Sequence, residues 1–351
     1  MQRVRLTQLD GKLPNLALMK LAHWHRAQGD EVVFTRRPDR DFFEPEFDVV
    51  YGSAIFTRTM PTVERFRRAF PGALVGGTGT GATYTVEDVI GGEYERYDYT
   101  DYPGFAPSIG FTQRGCRFSC GWCVVPGKEG RPKPVNTIPD IWRGEGHPRK
   151  LHLLDNDFFG QPREEWEARL EEIRSGGFRV CLNQGINIRV ISPAAAEALS
   201  TVEYRDDGFT ERRLYTAWDN VGDERVFFRG VDRLEKAGIP PQHIMAYMLV
   251  GFDPAETMER VLYRFHRMAD RGVLPYPMVY DDRQLGDRGP SRSLGTFGPG
   301  EDGAARFRKL KQLQRWAIHG LYRDKETPFE AYDSSIRGRR RDREAQFTLE
   351  V

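Results

Sequence analysis

Three of the four cysteines fall within eight residues: Cys116, Cys120 and Cys123, in Gly110-Phe-Thr-Gln-Arg-Gly-Cys-Arg-Phe-Ser-Cys-Gly-Trp-Cys-Val-Val-Pro126. The spacing is C-x3-C-x2-C, with Trp122 directly before the last thiol. Cysteine thiolates hold iron–sulfur clusters in spacings peculiar to each kind of protein. Three on one short loop can occupy three corners of a [4Fe–4S] cubane and leave the fourth iron open to a ligand that is not protein. An iron with an open position can bind a small molecule and pass it an electron, so the loop implies a reaction. The rival chemistries fit less well. A structural zinc site wants four N or S ligands, usually as two C-x2-C knuckles. Here there is no second knuckle, and the nearest downstream histidine is His147. Disulfide frameworks belong to small secreted chains, whereas this chain is 351 residues long and its start, Met1-Gln-Arg-Val-Arg-Leu6, lacks a secretory apolar stretch. Cys181, in the apolar run Phe178-Arg-Val-Cys-Leu182, reads as a buried strand residue, because free cysteine packs as a small hydrophobe.

The elements that must position this loop are strands alternating with helices. Before it, strand candidates at Val4–Thr7, Glu31–Phe34, Phe47–Phe56 and Ala73–Gly77 alternate with helices over 14–28 and 62–70. Alternation of this kind implies parallel βαβ units and a doubly wound sheet. Gly92 to Pro107 reads as a linker. Strand candidate Ser108–Thr112 leads into the cysteine loop. Further strands follow at 150–155, 178–182, 213–218, 243–250 and 276–280, with helices at 162–175, 193–199, 223–237 and 255–271. That makes six βα units in all. Nearly every strand ends in a polar cluster: Asp155-Asn156-Asp157, Asn183-Gln184-Gly185, Asp219-Asn220, Gly251-Phe252-Asp253. In α/β barrels that end of the strands carries the active site, although Asp, Asn and Gly also favour plain turns. From Asp281 the texture changes to a Gly-, Arg- and Ser-rich loop, a helix over 304–322, and a basic tail at Ile336-Arg-Gly-Arg-Arg-Arg-Asp-Arg343. The expected domains are thus 1–100, 101–285 and 286–351, the last a lid, a helix and a tail.

The cysteine loop with Trp122 resembles the signature of the radical S-adenosylmethionine (radical SAM) superfamily. Gly115 and the tail Val124-Val-Pro-Gly-Lys-Glu-Gly130 are similar to the subgroup with a cobalamin-binding-like domain in front of the barrel. The three-cysteine motif is specific; the flanking segments are weaker singly but occur in the expected order over most of the chain. The resemblance implies an N-terminal Rossmann-like domain and a partial (β/α)6 TIM-type barrel. It implies Cys116, Cys120 and Cys123 as cluster ligands, and S-adenosylmethionine chelating the open iron. An electron from a donor such as flavodoxin or ferredoxin would then cleave the sulfonium to a 5′-deoxyadenosyl radical that abstracts hydrogen from a substrate. By position, Asp155 and Asn156 correspond to the segment that bonds the methionine amino group. Arg189, with Asn183 and Gln184, could meet the methionine carboxylate, a match for the planar guanidinium fork. Asp219 and Asn220 could meet the ribose or the substrate. Gly251 would admit the adenine, and Trp122 could lie against the adenosyl group.

The Gly76-Gly-Thr-Gly-Thr-Gly81 loop matches the subgroup's Gly-Gly pair better than a dinucleotide fingerprint. The subgroup's Asp-x-His-x-x-Gly motif, whose histidine ligates cobalt, is absent, and His23 and His25 lie on the first helix, so cobalamin is not expected. Hydrophobic residues are 39% and charged residues 29%, with a net charge of +1, which argues against a surface built wholly for nucleic acid. No apolar run reaches membrane-spanning length, and reduced cysteines suit a cytoplasmic setting. The basic tail and the loop arginines Arg283, Arg288 and Arg292 raise a nucleotide, nucleic-acid base or attached amino acid as substrate. Two alternatives stand beside this reading: a cobalamin-dependent radical methylase of natural-product type, and an iron–sulfur electron-transfer or sensing protein without S-adenosylmethionine chemistry.

Overall fold

Short apolar runs that alternate with amphipathic stretches bury best as parallel strands flanked by helices, and the chain folds in this α/β manner. The computed structural model describes residues 1–280, 303–324 and 327–332, with the side chain of residue 304 left aside. Arg283, Arg288, Arg292, most of the expected lid and the basic tail at 336–343 lie outside the described residues. The described residues form two compact units, Met1–Ala106 and the remainder from Pro107.

In the first unit, strands β1 (Arg3–Gln8), β2 (Glu31–Thr35), β3 (Val49–Ser53) and β4 (Leu74–Gly76) form a parallel sheet in the order β2-β1-β3-β4. Helix α1 (Leu16–Ala27) starts at Asn15, whose side chain accepts the Leu18 N–H, a standard N-terminal cap. It and the short α3 (Val86–Ile90) pack on Val4, Leu6 and Tyr51. Helix α2 (Met60–Ala69) covers the opposite side through Val63 and Phe66, against Ala54 and Val75. Helices on both faces make the sheet doubly wound. The segment expected as a linker is tied down within this unit: Arg26 pairs with Asp98 at 2.7 Å and Asp101 at 2.9 Å, and the Tyr102 hydroxyl donates to Gln8 Oε1.

The second unit begins with β5 (Ser108–Gly110) and the cysteine loop. The loop is bracketed by an antiparallel pair, β6 (Gln113–Arg114) and β7 (Lys133–Pro134), and contains a single-turn helix α4 (Val125–Glu129). Helix α5 (Ile138–Ile141) leads to β8 (Lys150–Leu153), α6 (Arg163–Ser175), β9 (Arg179–Leu182), α7 (Pro193–Ser200) and β10 (Glu203–Tyr204). Then come β11 (Leu214–Ala217), α8 (Glu224–Lys236), β12 (Ile244–Val250), α9 (Met258–Asp270), β13 (Leu274–Val279) and α10 (Gly303–Ile318).

The six expected strands are all present, but they hydrogen-bond as two parallel sheets, β10-β9-β8-β5 and β11-β12-β13. The edge strand β10 has no sequence signal because it is two residues long. At the seam, the Ile186 N–H donates to Tyr215 O at 2.8 Å and Thr216 Oγ1 donates to Ile186 O at 2.9 Å. Gly185 is required there. Its φ is +82°, and a Cβ would stand 2.7 Å from Tyr215 O. The main core packs helices onto one face of the strands, through Leu151, Leu153, Val180, Leu182, Ala246, Met248 and Val250 on the strands and Leu170, Phe227, Val231, Phe265, Leu310 and Trp316 on the helices. The opposite face carries a second, smaller cluster of Cys181, Phe209, Tyr215 and Met245. No described helix is long and apolar enough to cross a membrane.

Candidate functional site

The cysteine loop leaves β5 at its carboxyl end and is held there by three consecutive residues that follow β8. Asp155, only 2% exposed, accepts from Thr112 N (2.6 Å), Thr112 Oγ1 (2.5 Å) and Gln113 N (3.0 Å). Asn156 Oδ1 accepts from Gly115 N at 3.0 Å. Asp157 takes the Arg117 guanidinium in two bonds, 2.7 and 2.9 Å, while its own N–H donates to Gln113 Oε1. Gln113 turns its amide nitrogen back onto the carbonyls of Arg114 and Gly115. A second forked pair, Arg114 to Glu129 at 2.7 and 2.9 Å, joins the two ends of the loop. Forked arginine–carboxylate pairs fix orientation as well as adding energy.

Asp155 and Asn156, expected from the resemblance to face a ligand amine, are therefore engaged by the loop backbone. Desolvation lifts the Asp155 carboxyl from 3.8 to about 6, against the pull of its three donors. Gly115, immediately before the first cysteine, has φ +84°, and a Cβ would fall 2.2 Å from Arg131 O. The crossing of chains beneath Cys116 admits only glycine.

The thiols share one neighbourhood. Burial raises Cys116 and Cys123, and both also feel the charge of Cys120. The Phe118 N–H points at Cys116 Sγ at 3.4 Å, and the Val125 N–H serves Cys123. Among the described residues no three His, Cys, Asp or Glu converge closely enough to hold a single metal ion. The three thiols of this loop are each within the electrostatic reach of another, and two of them are met by backbone N–H groups; thiolates are the donor type that iron–sulfur clusters take. Hydrogen bonds to the sulfurs are among the levers that tune such clusters, and binding would displace the thiol protons.

The other expected residues divide into those brought to the loop and those left apart from it. Arg189, after β9, lies over the Phe118 ring at 4.8 Å and bonds Asp223 Oδ2 at 3.0 Å and Asn187 Oδ1 at 3.2 Å. Burial works against its charge, but Asp223 and then the Cys120 thiol outweigh it and hold the guanidinium above its ordinary value. Asp219 accepts from Leu249 N at 2.8 Å, and its carboxyl is raised by burial although Arg264 and Arg189 draw it down. Trp122 packs edge to face on Phe252, with centroids 5.2 Å apart, so it meets the chain just after Gly251, which is buried at φ +88°. Asn183 bonds His152 at 2.9 Å on the face opposite the helices. Gln184 is exposed, and Asn220 caps its own turn by accepting from Gly222 N.

Sequence reading missed Gln113, Arg117, Asp157, His152, Arg264, Glu256 and Arg306 as site supports. Only Asp157 carried a signal, by its place in the strand-end cluster. Arg264, fully buried, donates to Trp218 O at 2.8 Å and Leu249 O at 2.9 Å and pairs with Glu256. Arg306 of α10 donates to Asp253 O at 2.9 Å. These two arginines tie the chain after β11 and β12 from behind.

In the first unit the two histidines are spent on protein partners. His23 meets the Tyr94 hydroxyl, and the buried His25 meets Asp30 at 2.8 Å and Tyr51 at 3.2 Å. The loop after β4 folds back on its neighbour, with Gly79 N donating to Ala54 O. No protein-family model matches the chain. Comparison with characterised proteins finds no match either.

Proposed function

We propose that this chain is a radical SAM enzyme whose second unit forms a partial (β/α)6 barrel. The observation that carries this reading is the C-x3-C-x2-C loop, set at the carboxyl end of β5 and pinned through Asp155, Asn156 and Asp157. Cys116, Cys120 and Cys123 would hold the cluster. A [4Fe–4S] cluster held there would supply one-electron reduction, drawn from a flavodoxin- or ferredoxin-type donor, for the reductive cleavage of S-adenosylmethionine that starts radical chemistry on a substrate. The Arg114–Glu129 and Arg117–Asp157 forks brace the loop that carries the three thiols, which would lower the ordering cost of binding. Arg189 stays cationic beside Cys120 and offers a bidentate partner to a carboxylate. Asp219, whose carboxyl is raised by burial and eased by Arg264 and Arg189, is the group poised to accept from a hydroxyl.

The arginines that raised a nucleic-acid substrate lie outside the described residues and add nothing further. The first unit would then serve as a scaffold, since the cobalt-ligating Asp-x-His-x-x-Gly motif is absent from the sequence.

Anaerobic reconstitution tests this directly. The expected product is a brown protein with about four irons per chain, and Cys116→Ala, Cys120→Ala or Cys123→Ala should each abolish the cluster. Dithionite and S-adenosylmethionine should then release 5′-deoxyadenosine. Intact S-adenosylmethionine over a fully reduced cluster would overturn the proposal.

A further inference from the structure

Three tyrosines line part of the strand face turned away from the helices. Tyr215 of β11, Tyr247 of β12 and Tyr276 of β13 share it, and Tyr247 stands directly opposite Tyr276 in the ladder. Tyr215 and Tyr247 stack at 5.8 Å and 6°, and Tyr276 meets Tyr247 edge-on at 5.7 Å. Met245 and the buried Cys181 fill in beside them. Tyr247 and Tyr276 are half-buried, and among the described residues their hydroxyls have no hydrogen-bond partner and no lysine or arginine lies over the three rings.

One end of this face is closed by the loop before β11. Phe209 sits there with φ +58°, the one non-glycine residue at positive φ among the described residues. Its ring packs edge-on against His152 at 4.8 Å, and the Lys150 ammonium lies 5.5 Å from the ring's centroid. Asp207, two residues earlier, gives its N–H to the Tyr215 hydroxyl, and its carboxylate is felt by Cys181, Tyr215 and Tyr247. Asp206 is satisfied by Thr210 and the Glu211 N–H. Asp207 makes no ion pair among the described residues; its carboxylate accepts from its own N–H and that of Gly208. Burial first, and then Asp206, raises its carboxyl.

A half-buried carboxylate without a cation is costly, and aromatic faces attract positive charge. We infer that this face binds a flat substrate bearing a positive charge, an amine or onium group on or beside a ring, with the Tyr247 and Tyr276 rings beside it, one by its face and the other by its edge, and Asp207 against its charge. A neutral ligand leaves the carboxylate without a countercharge, and an anion is repelled by Asp206 and Asp207 together. The inference rests on the reading that substrate lies on this face.

The test is calorimetric titration of the full chain, without cluster, using benzyltrimethylammonium, benzyl alcohol and benzoate as probes. The cation should bind at least about tenfold tighter than the alcohol, and benzoate not at all. Asp207→Asn should cost about tenfold for the cation alone, Tyr247→Leu a similar factor, and Tyr247→Phe little. Absent cation binding, equal binding of cation and alcohol, binding of benzoate, or a cation affinity unmoved by Asp207→Asn in a protein of unchanged circular dichroism would each overturn the inference. Release of 5′-deoxyadenosine is read on separate, reconstituted protein. Cleavage without cation binding removes this inference and leaves the enzyme reading; cation binding without cleavage does the reverse.

Discussion

Asp155 shows how one residue can look like a ligand contact in sequence and act as a tie in the fold. Its oxygens are taken by Thr112 and Gln113, and its carboxyl is lifted by burial to about 6. The sign follows from that elevation. A carboxyl harder to ionise folded than unfolded contributes stability that is present below about pH 4 and lost as pH rises through about 6. Two pH units correspond to about 3 kcal/mol. Asp155→Asn keeps an acceptor for the two N–H groups and turns the Thr112 hydroxyl contact round. Urea unfolding from pH 4 to 7 should show wild type losing stability relative to this variant; parallel pH profiles would refute the assignment.

At the scale of elements, two devices hold the strand ends. One is the backbone crossing at Gly115. A Gly115→Ala chain must accept both an unfavourable positive φ and a Cβ driven into Arg131 O, a cost of about 2 kcal/mol or more. Iron retention after reconstitution and gel filtration should fall well below wild type, while the circular dichroism of the helices stays. The other device is Arg264, which binds the carbonyl of Trp218, just after β11, and that of Leu249, in β12. Arg264→Leu leaves Glu256 buried beside two unpaired carbonyls, and losing one partner of such a pair costs about 3–5 kcal/mol. Thermal unfolding should drop on the order of 10 °C. A change of only a degree or two would mean that Arg306 alone holds the Glu256 loop.

For the whole molecule, the two units have separate cores, and only the second carries candidate chemistry. His23 and His25 are committed to Tyr94, Asp30 and Tyr51. Titration with hydroxocobalamin should therefore leave its visible spectrum unchanged. A shift of the bands that His25→Gln abolishes would restore cobalt chemistry to the first unit.

Most strands and helices were legible because apolar period and glycine or proline stops report burial directly. Phe178–Leu182 reads as a buried strand, and β9 is one, with Cys181 facing away from the helices. The two-residue β10 was illegible because so short a strand has no period. The seam between the two sheets was illegible because it depends on Gly185 meeting Tyr215. The cysteine loop was the clearest signal, since thiol spacing is a local property. By itself, then, the sequence determined the α/β alternation, the three-thiol loop and the polar strand ends. Only the tertiary structure decided that Asp155, Asn156 and Asp157 hold the loop, that Arg189 reaches Cys120, and that three tyrosines from three strands share a face with Asp207. Those are pairings between residues tens of positions apart, fixed by strand register and burial, and no local pattern in the chain encodes them.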